Sequence, residues 1–279
     1  MTCQTDNDTK ESLMQGKREY INSSDGTKIG LLTEGSGPPL LLVHGGMCRL
    51  ERWAPLWPYL TARHTVTAMD RRGRGSSGDA ASYRIEAEYD DVCAVADHLS
   101  RRADGPIDVF GHSYGAACSL GAAAQGAPVR RVALYEPPGP QTVPVEWVER
   151  LHAFVAAGEL GKAIGSFLIE IIGLPRDQVM AMRDTPMAYD PFPIMANTMP
   201  READSLTTLD LAALAATVTQ PVLLLLGEDS PAWAPEITHL LHEKLPESAI
   251  AGLKGQGHEA VDLDPGAVAD ALGAFFAKV

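Results

Sequence analysis

The spacing in this chain that could do chemistry is Gly111-His112-Ser113-Tyr114-Gly115, set between an apolar run, Ile107–Phe110, and an alanine-rich stretch, Tyr114–Ala124. G-x-S-x-G between a strand and a helix makes a sharp turn, and small residues at 111 and 115 let neighbouring chain pack closely while the Ser113 hydroxyl projects. The helix that follows contributes the positive end of its dipole and the free backbone N–H of Tyr114, both suited to a developing oxyanion. A serine hydroxyl is a weak nucleophile at its own pKa, so such a turn needs a base within hydrogen-bond reach. Competing signals are poorer. His239-x-x-His242 has helical metal spacing but no carboxylate or cysteine to complete it, and reads as solvent-exposed. Gly73–Gly78 lacks G-x-x-x-x-G-K-[ST], and His258-Glu259 is not H-E-x-x-H because position 262 is Asp. No metal and no cofactor is expected.

The elements that must hold these residues follow from the apolar runs. Leu40–Val43, Thr65–Met69, Ile107–Phe110, Val132–Tyr135 and Val222–Leu226 are apolar on successive residues, the pattern of strands buried on both faces of a parallel sheet. Helical stretches lie between and after them, at Arg52–Leu60, Ile85–Ala103, Tyr114–Ala124, Pro235–Leu245 and Pro265–Ala277, the last opened by Asp264 as N-cap. Alternation of this kind predicts a doubly wound α/β sheet, and Arg18–Glu34, with its Ser24-Asp25-Gly26 turn, predicts an antiparallel hairpin leading into it. From Pro140 to Leu209 the rhythm breaks into helical patterns, Val145–Ala157 and Glu159–Ile172, cut by prolines at 175, 186, 191, 193 and 200. Met180, Met182, Met187, Met195 and Met199 fall there, which reads as a small helical subdomain or, more sharply, as a cap whose pliable methionines line an apolar pocket.

At this point the sequence resembles the α/β-hydrolase superfamily over nearly its whole length. Val43-His44-Gly45-Gly46 is similar to the family's oxyanion loop, and Asp70-Arg71-Arg72-Gly73-Arg74-Gly75-Ser76-Ser77-Gly78 to its D-x-R-G-x-G-x-S turn. Gly255-Gln256-Gly257-His258 resembles the G-x-G-H that carries the catalytic histidine. The resemblance implies an α/β-hydrolase fold: a mostly parallel eight-stranded sheet with flanking helices and an inserted helical cap. It divides the chain into a flexible N-terminus (1–17), a core (18–139 and 210–279) and a cap (140–209). It makes Ser113 the nucleophile and His258 the base, with the N–H groups of Tyr114 and Gly46 as the oxyanion hole and Met47 as an alternative second donor. His44 then orients the oxyanion loop, His112 is structural or lines the pocket, and Asp70 and Arg72 lock the glycine-rich turn.

The third member of the triad departs from the family pattern. The usual G-x-x-D after the later strand is here Gly227-Glu228-Asp229-Ser230, with Ser230 at the acid's position and Asp229 one residue early. The other site the family uses for its acid falls on Glu136, directly after the preceding strand. Both keep the order Ser, acid, His. A carboxylate at the buried edge of a sheet needs partners, which favours Glu136, with Asp229 as the alternative and Asp262 a distant third.

Composition sets the class. The 279 residues are 45% hydrophobic and 21% charged, with 26 Gly and 20 Pro, enough for a sizeable core built from short elements and many turns. A formal net charge of −13 repels phosphate backbones and anionic membranes, so neither nucleic acid nor membrane is an expected partner. Arg71, Arg72 and Arg74 read as part of a turn rather than a phosphate stripe. No secretory signal or membrane span is evident, and the scattered Cys3, Cys48, Cys93 and Cys118 read as reduced thiols, so a cytoplasmic, bacterial protein is expected, as monomer or homodimer.

The expected activity is cofactor-independent serine hydrolysis of an ester, lactone or related small acyl substrate through an acyl-enzyme intermediate. Serine at the elbow argues against epoxide hydrolase and dehalogenase chemistry, which use Asp there. Two alternatives use the same fold: non-hydrolytic chemistry (cyclase, lyase or acyltransferase, possible in secondary metabolism), and a ligand-binding protein that has lost hydrolysis for want of an acid.

Overall fold

The structure, a computed structural model, describes residues 14–183 and 196–277. Most of the expected N-terminal segment, together with Met187, Met195 and the prolines at 186, 191 and 193, lies outside the described residues.

Eight strands form one sheet: β1 Lys17–Asn22, β2 Lys28–Gly35, β3 Pro39–Val43, β4 Thr65–Met69, β5 Ile107–His112, β6 Val129–Tyr135, β7 Val222–Gly227 and β8 Ser248–Leu253. Their order is β1-β2-β4-β3-β5-β6-β7-β8, with β1 and β2 antiparallel to their neighbours and β3 to β8 parallel throughout. This is the α/β-hydrolase fold. From β3 the chain crosses first to β4 on one side and then to β5 on the other, so the loops after β3 and β5 diverge at the strands' C-terminal ends and leave a crevice there. Val43 stands opposite Gly111, which sets the loop starting at His44 against the one bearing Ser113.

Both faces of the sheet are covered. After a short first helix, α1 (Trp57–Thr61), the helices α2 (Ile85–Ala103) and α3 (Tyr114–Ala124) share one apolar core with the helices inserted between β6 and β7. The other face packs against Trp53, Trp57 and the C-terminal helix Pro265–Phe276. That last helix is capped by Asp264, whose carboxylate accepts the Ala267 N–H at 3.0 Å.

Two expected helices are interrupted, each for a local reason. Arg52–Leu60 is a 3-10 turn, Leu50–Trp53, followed by a short α-helix, Trp57–Thr61. Pro55 and Pro58 lack the N–H groups that one continuous helix would need. Glu159–Ile172 is an α-helix only over Leu160–Ser166, then widens to a π turn over Phe167–Ile171 closed by Ile172 N–H to Phe167 O at 3.0 Å. The widened turn presents Phe167, Ile171 and Ile172 to the crevice.

The arginine-rich turn is interior, not surface. Arg72 is 1% exposed and grips Asp91 of α2 with two bonds of 2.7 Å, adding Asp25 of the hairpin turn at 2.9 Å and the Ala87 carbonyl at 3.1 Å. Asp70 accepts from Leu50 N at 2.9 Å and from the Ser76 amide and hydroxyl at 2.8 and 2.9 Å. A charge pair buried this deeply is costly to split. Arg72→Leu is expected to lower unfolding free energy by about 3–5 kcal/mol in denaturant titration, and Arg72→Leu/Asp91→Leu to recover much of that loss.

Candidate active site

Ser113 follows β5 directly and sits at φ 55°, ψ −127°, a conformation that an L-residue holds only when its surroundings impose it. Its amide donates to the Tyr135 carbonyl at 2.8 Å, and α3 starts at the next residue. Glycine is required beside it. A Cβ on Gly115 would run into the carbonyls of Val43 and His44, and one on Gly45 would lie 2.9 Å from the Ser113 Cβ. The loop after β3 therefore presses directly on the elbow, and Gly46, Met47, Ser113 and Tyr114 all face one cavity. Met47, like Ser113, has a positive φ, 54°.

The loop after β8 delivers His258, 4% exposed, with its Nδ1 at 2.6 Å from Glu136 Oε2. A carboxylate only accepts, so Nδ1 is the nitrogen that donates, and Nε2 is the one not committed to Glu136. Glu136 is fully buried at φ 47°, one residue past β6. Its second oxygen accepts from the Gly227 amide at 2.8 Å and the Ser230 hydroxyl at 2.5 Å, so three donors offset its burial. Asp229 stands apart: it is exposed, and its backbone N–H donates to the Gln256 carbonyl at 2.9 Å. Asp262 is taken by an ion pair with Arg52, which also binds Glu259 at 2.8 Å and so anchors the loop around His258. The Tyr135 hydroxyl donates to the Gly257 carbonyl, tying the same loop to β6.

Two further histidines are neutral supports. His44 Nδ1 donates to the Gly45 carbonyl at 2.9 Å, and its Nε2 accepts the Arg71 amide at 3.1 Å, which fixes the tautomer and braces the loop. Burial first, then the Arg71 guanidinium, hold it well below the usual imidazole range. His112 Nε2 donates to the His258 carbonyl at 3.0 Å, and burial followed by the neighbouring His258 depresses it likewise. His239 and His242 are exposed, and no group of three or more candidate metal ligands occurs among the described residues.

The cavity above Ser113 encloses about 500 Å³ including its open mouth. Its walls are mostly apolar: Trp147, Phe167, Ile171 and Leu206 from the inserted segment, and Trp233 after β7. Of the methionines expected there, Met199 lines it, whereas Met180 is 39% exposed. Trp233 also meets the His258 ring edge-on at 5.4 Å between centroids.

This arrangement can be compared with known proteins. The family model described as "Alpha/beta hydrolase family" matches residues 40–271. The chain belongs to that family. A solved α/β hydrolase from Sphaerobacter thermophilus is 37% identical, with a TM-score of 0.80, covering 92% of this chain and 100% of that one. A 2-(acetamidomethylene)succinate hydrolase of Mesorhizobium japonicum is 27% identical over 85% of this chain and 87% of its own length. An N-formylmaleamate deformylase of Pseudomonas putida is 27% identical over 80% and 83%.

Sequence reasoning missed three features of this α/β hydrolase. Ser230, noted only as the residue replacing an acid, donates to Glu136; its position in Gly227-Glu228-Asp229-Ser230 was the available signal. Tyr135 was read only as strand. Glu202, which also lines the cavity, gave no signal, being 131 residues from its partner Arg71. Because His44 and His112 are held neutral in the fold, the unfolded chain binds more protons below its histidine value of 6.5. Stability is expected to fall as pH drops below about 6.5, with both rings still neutral in folded protein by ¹⁵N NMR at pH 5.5 to 6.

Proposed function

We propose that this protein is a cofactor-independent serine hydrolase acting on an ester, lactone or related acyl substrate through an acyl-enzyme. The observation that carries the reading is the 2.6 Å bond from His258 Nδ1 to the buried Glu136, with the His258 ring against Trp233, which lines the same cavity as Ser113. With Nδ1 committed to Glu136, Nε2 is the atom that takes the Ser113 proton as Oγ attacks the acyl carbon. The amides of Tyr114 and Gly46 receive the oxyanion, with Met47 as the alternative to Gly46. The proton then passes to the departing alcohol or amine, and water repeats the sequence to release the acid. Glu136 serves as triad acid, and Ser230 holds its far oxygen. Residues 140–209 act as a cap whose apolar side chains exclude water and select the substrate, on a core of 18–139 and 210–279.

The relatives' names, a hydrolase and a deformylase, support acyl hydrolysis. Their named substrates are not carried across: among the described residues no cation lines the cavity to receive a succinate or maleamate carboxylate. The ligand-binding alternative requires that no carboxylate support His258, so the Glu136 contact favours hydrolysis over it.

Ser113→Ala is expected to abolish turnover of an activated short-chain ester and labelling by a fluorophosphonate, with the circular dichroism spectrum retained. Undiminished turnover refutes the mechanism. Glu136→Gln should lower kcat by roughly 10³–10⁴-fold and Asp229→Asn by less than about threefold. The opposite ranking would move the acid to Asp229.

A further inference from the structure

One carboxylate in the cavity is not used by the mechanism. Glu202, on the inserted helix Met199–Thr207, is 6% exposed and lines the cavity that Ser113 lines. Its two oxygens have different surroundings. Oε1 accepts from Arg71 at 2.7 Å and from Arg74 at 2.8 Å. Oε2 makes no hydrogen bond among the described residues and lies 3.4 Å from where a Cβ on Gly46 would stand.

Its position is fixed by a rigid support. Arg71 is fully buried, paired with Glu88 through two bonds of 2.6 Å, stacked over the Tyr114 ring at 4.4 Å, and bonded to the Gly45 carbonyl at 3.1 Å. The guanidinium that holds Glu202 therefore also holds the loop beside the elbow. Both guanidiniums approach the same oxygen, which leaves the other facing the cavity. A carboxylate oxygen left without a protein donor favours a ligand that donates. The other side-chain polar groups on the described wall are the Ser113, Thr142 and Tyr114 hydroxyls and the Trp147 and Trp233 indole N–H groups, of which Tyr114 bonds Tyr83 and Trp233 the Ile171 carbonyl.

We propose that Glu202 Oε2 is a specificity contact that receives an N–H donor of the substrate, foremost a protonated amine, close to the reacting acyl group. The same oxygen turns away substrates with a carboxylate in that place. This rests on the hydrolase reading for its placement of the acyl group, but the contact itself is a binding property and is testable without turnover.

The test uses three methyl esters of similar length: methyl 3-aminopropanoate, methyl butanoate and monomethyl succinate. Calorimetric titration of the Ser113→Ala protein is expected to rank them in that order, the amine binding about tenfold or more tighter than the neutral ester, as a charge-assisted hydrogen bond provides. Glu202→Gln in the same background should collapse the gap, and circular dichroism checks that this variant folds. Equal binding of the three, or a preference for the succinate, overturns the proposal, as does a gap that survives in folded Glu202→Gln. The ranking in the Glu202 protein decides alone should that variant not fold. Hydrolysis by the Ser113 protein separates the two readings: turnover without the ranking refutes only the Glu202 contact, and the ranking without turnover refutes only the hydrolase.

Discussion

A carboxylate buried at the end of a sheet has to collect donors from whatever elements surround it, and Glu136 does so from three. It accepts from the Gly227 amide at the end of β7, from Ser230 in the turn beyond, and from His258 in the loop after β8. Each contact constrains a separate piece of chain, so the carboxylate fixes the geometry of the whole C-terminal edge. The backbone is bent to permit it. Glu136 has a positive φ, as does Ser113, and the Ser113 amide bonds to the carbonyl just before Glu136. Ser113 and Glu136 are thus two strained residues at the ends of adjacent strands, linked through one peptide.

A second buried charge system stands on the other side of the elbow. The protein carries a net −13, yet three of its arginines lie in the interior at 2% exposure or less. Arg72 joins the hairpin turn to α2, while Arg71 and Arg74 reach Glu202 on the inserted helix. Arg71 is the link between the loop after β3, helix α2 and the inserted segment. Fully desolvated pairs of this kind add little net stability over apolar packing, but a mispaired arrangement would be severely penalised. Their effect is to hold the inserted helix at one position over the Ser113 cavity.

Much of this was legible beforehand because it is written in local pattern. Buried parallel strands need continuous apolar runs, and those runs fall where β3 to β7 form. The elbow is readable from five residues because its sterics are local: Gly115 must admit the Val43 and His44 carbonyls. Interrupted helices were less legible, since Pro58 was outweighed by periodicity and a π turn leaves no mark in residue type. The choice between Glu136 and Asp229 stayed open for a stricter reason. Both precede His258 in the same order along the chain, and order carries no distance.

What the sequence by itself determined was the fold class, the elbow and the histidine loop, each specified by residues within a few positions of one another. Tertiary structure alone brought Glu136 to His258 across 122 residues and Glu202 to Arg71 across 131. Those pairings depend on strand order and on where an inserted helix comes to rest. Glu136 meets His258 because β6, β7 and β8 lie side by side, and Glu202 faces the cavity because two buried guanidiniums take only one of its oxygens.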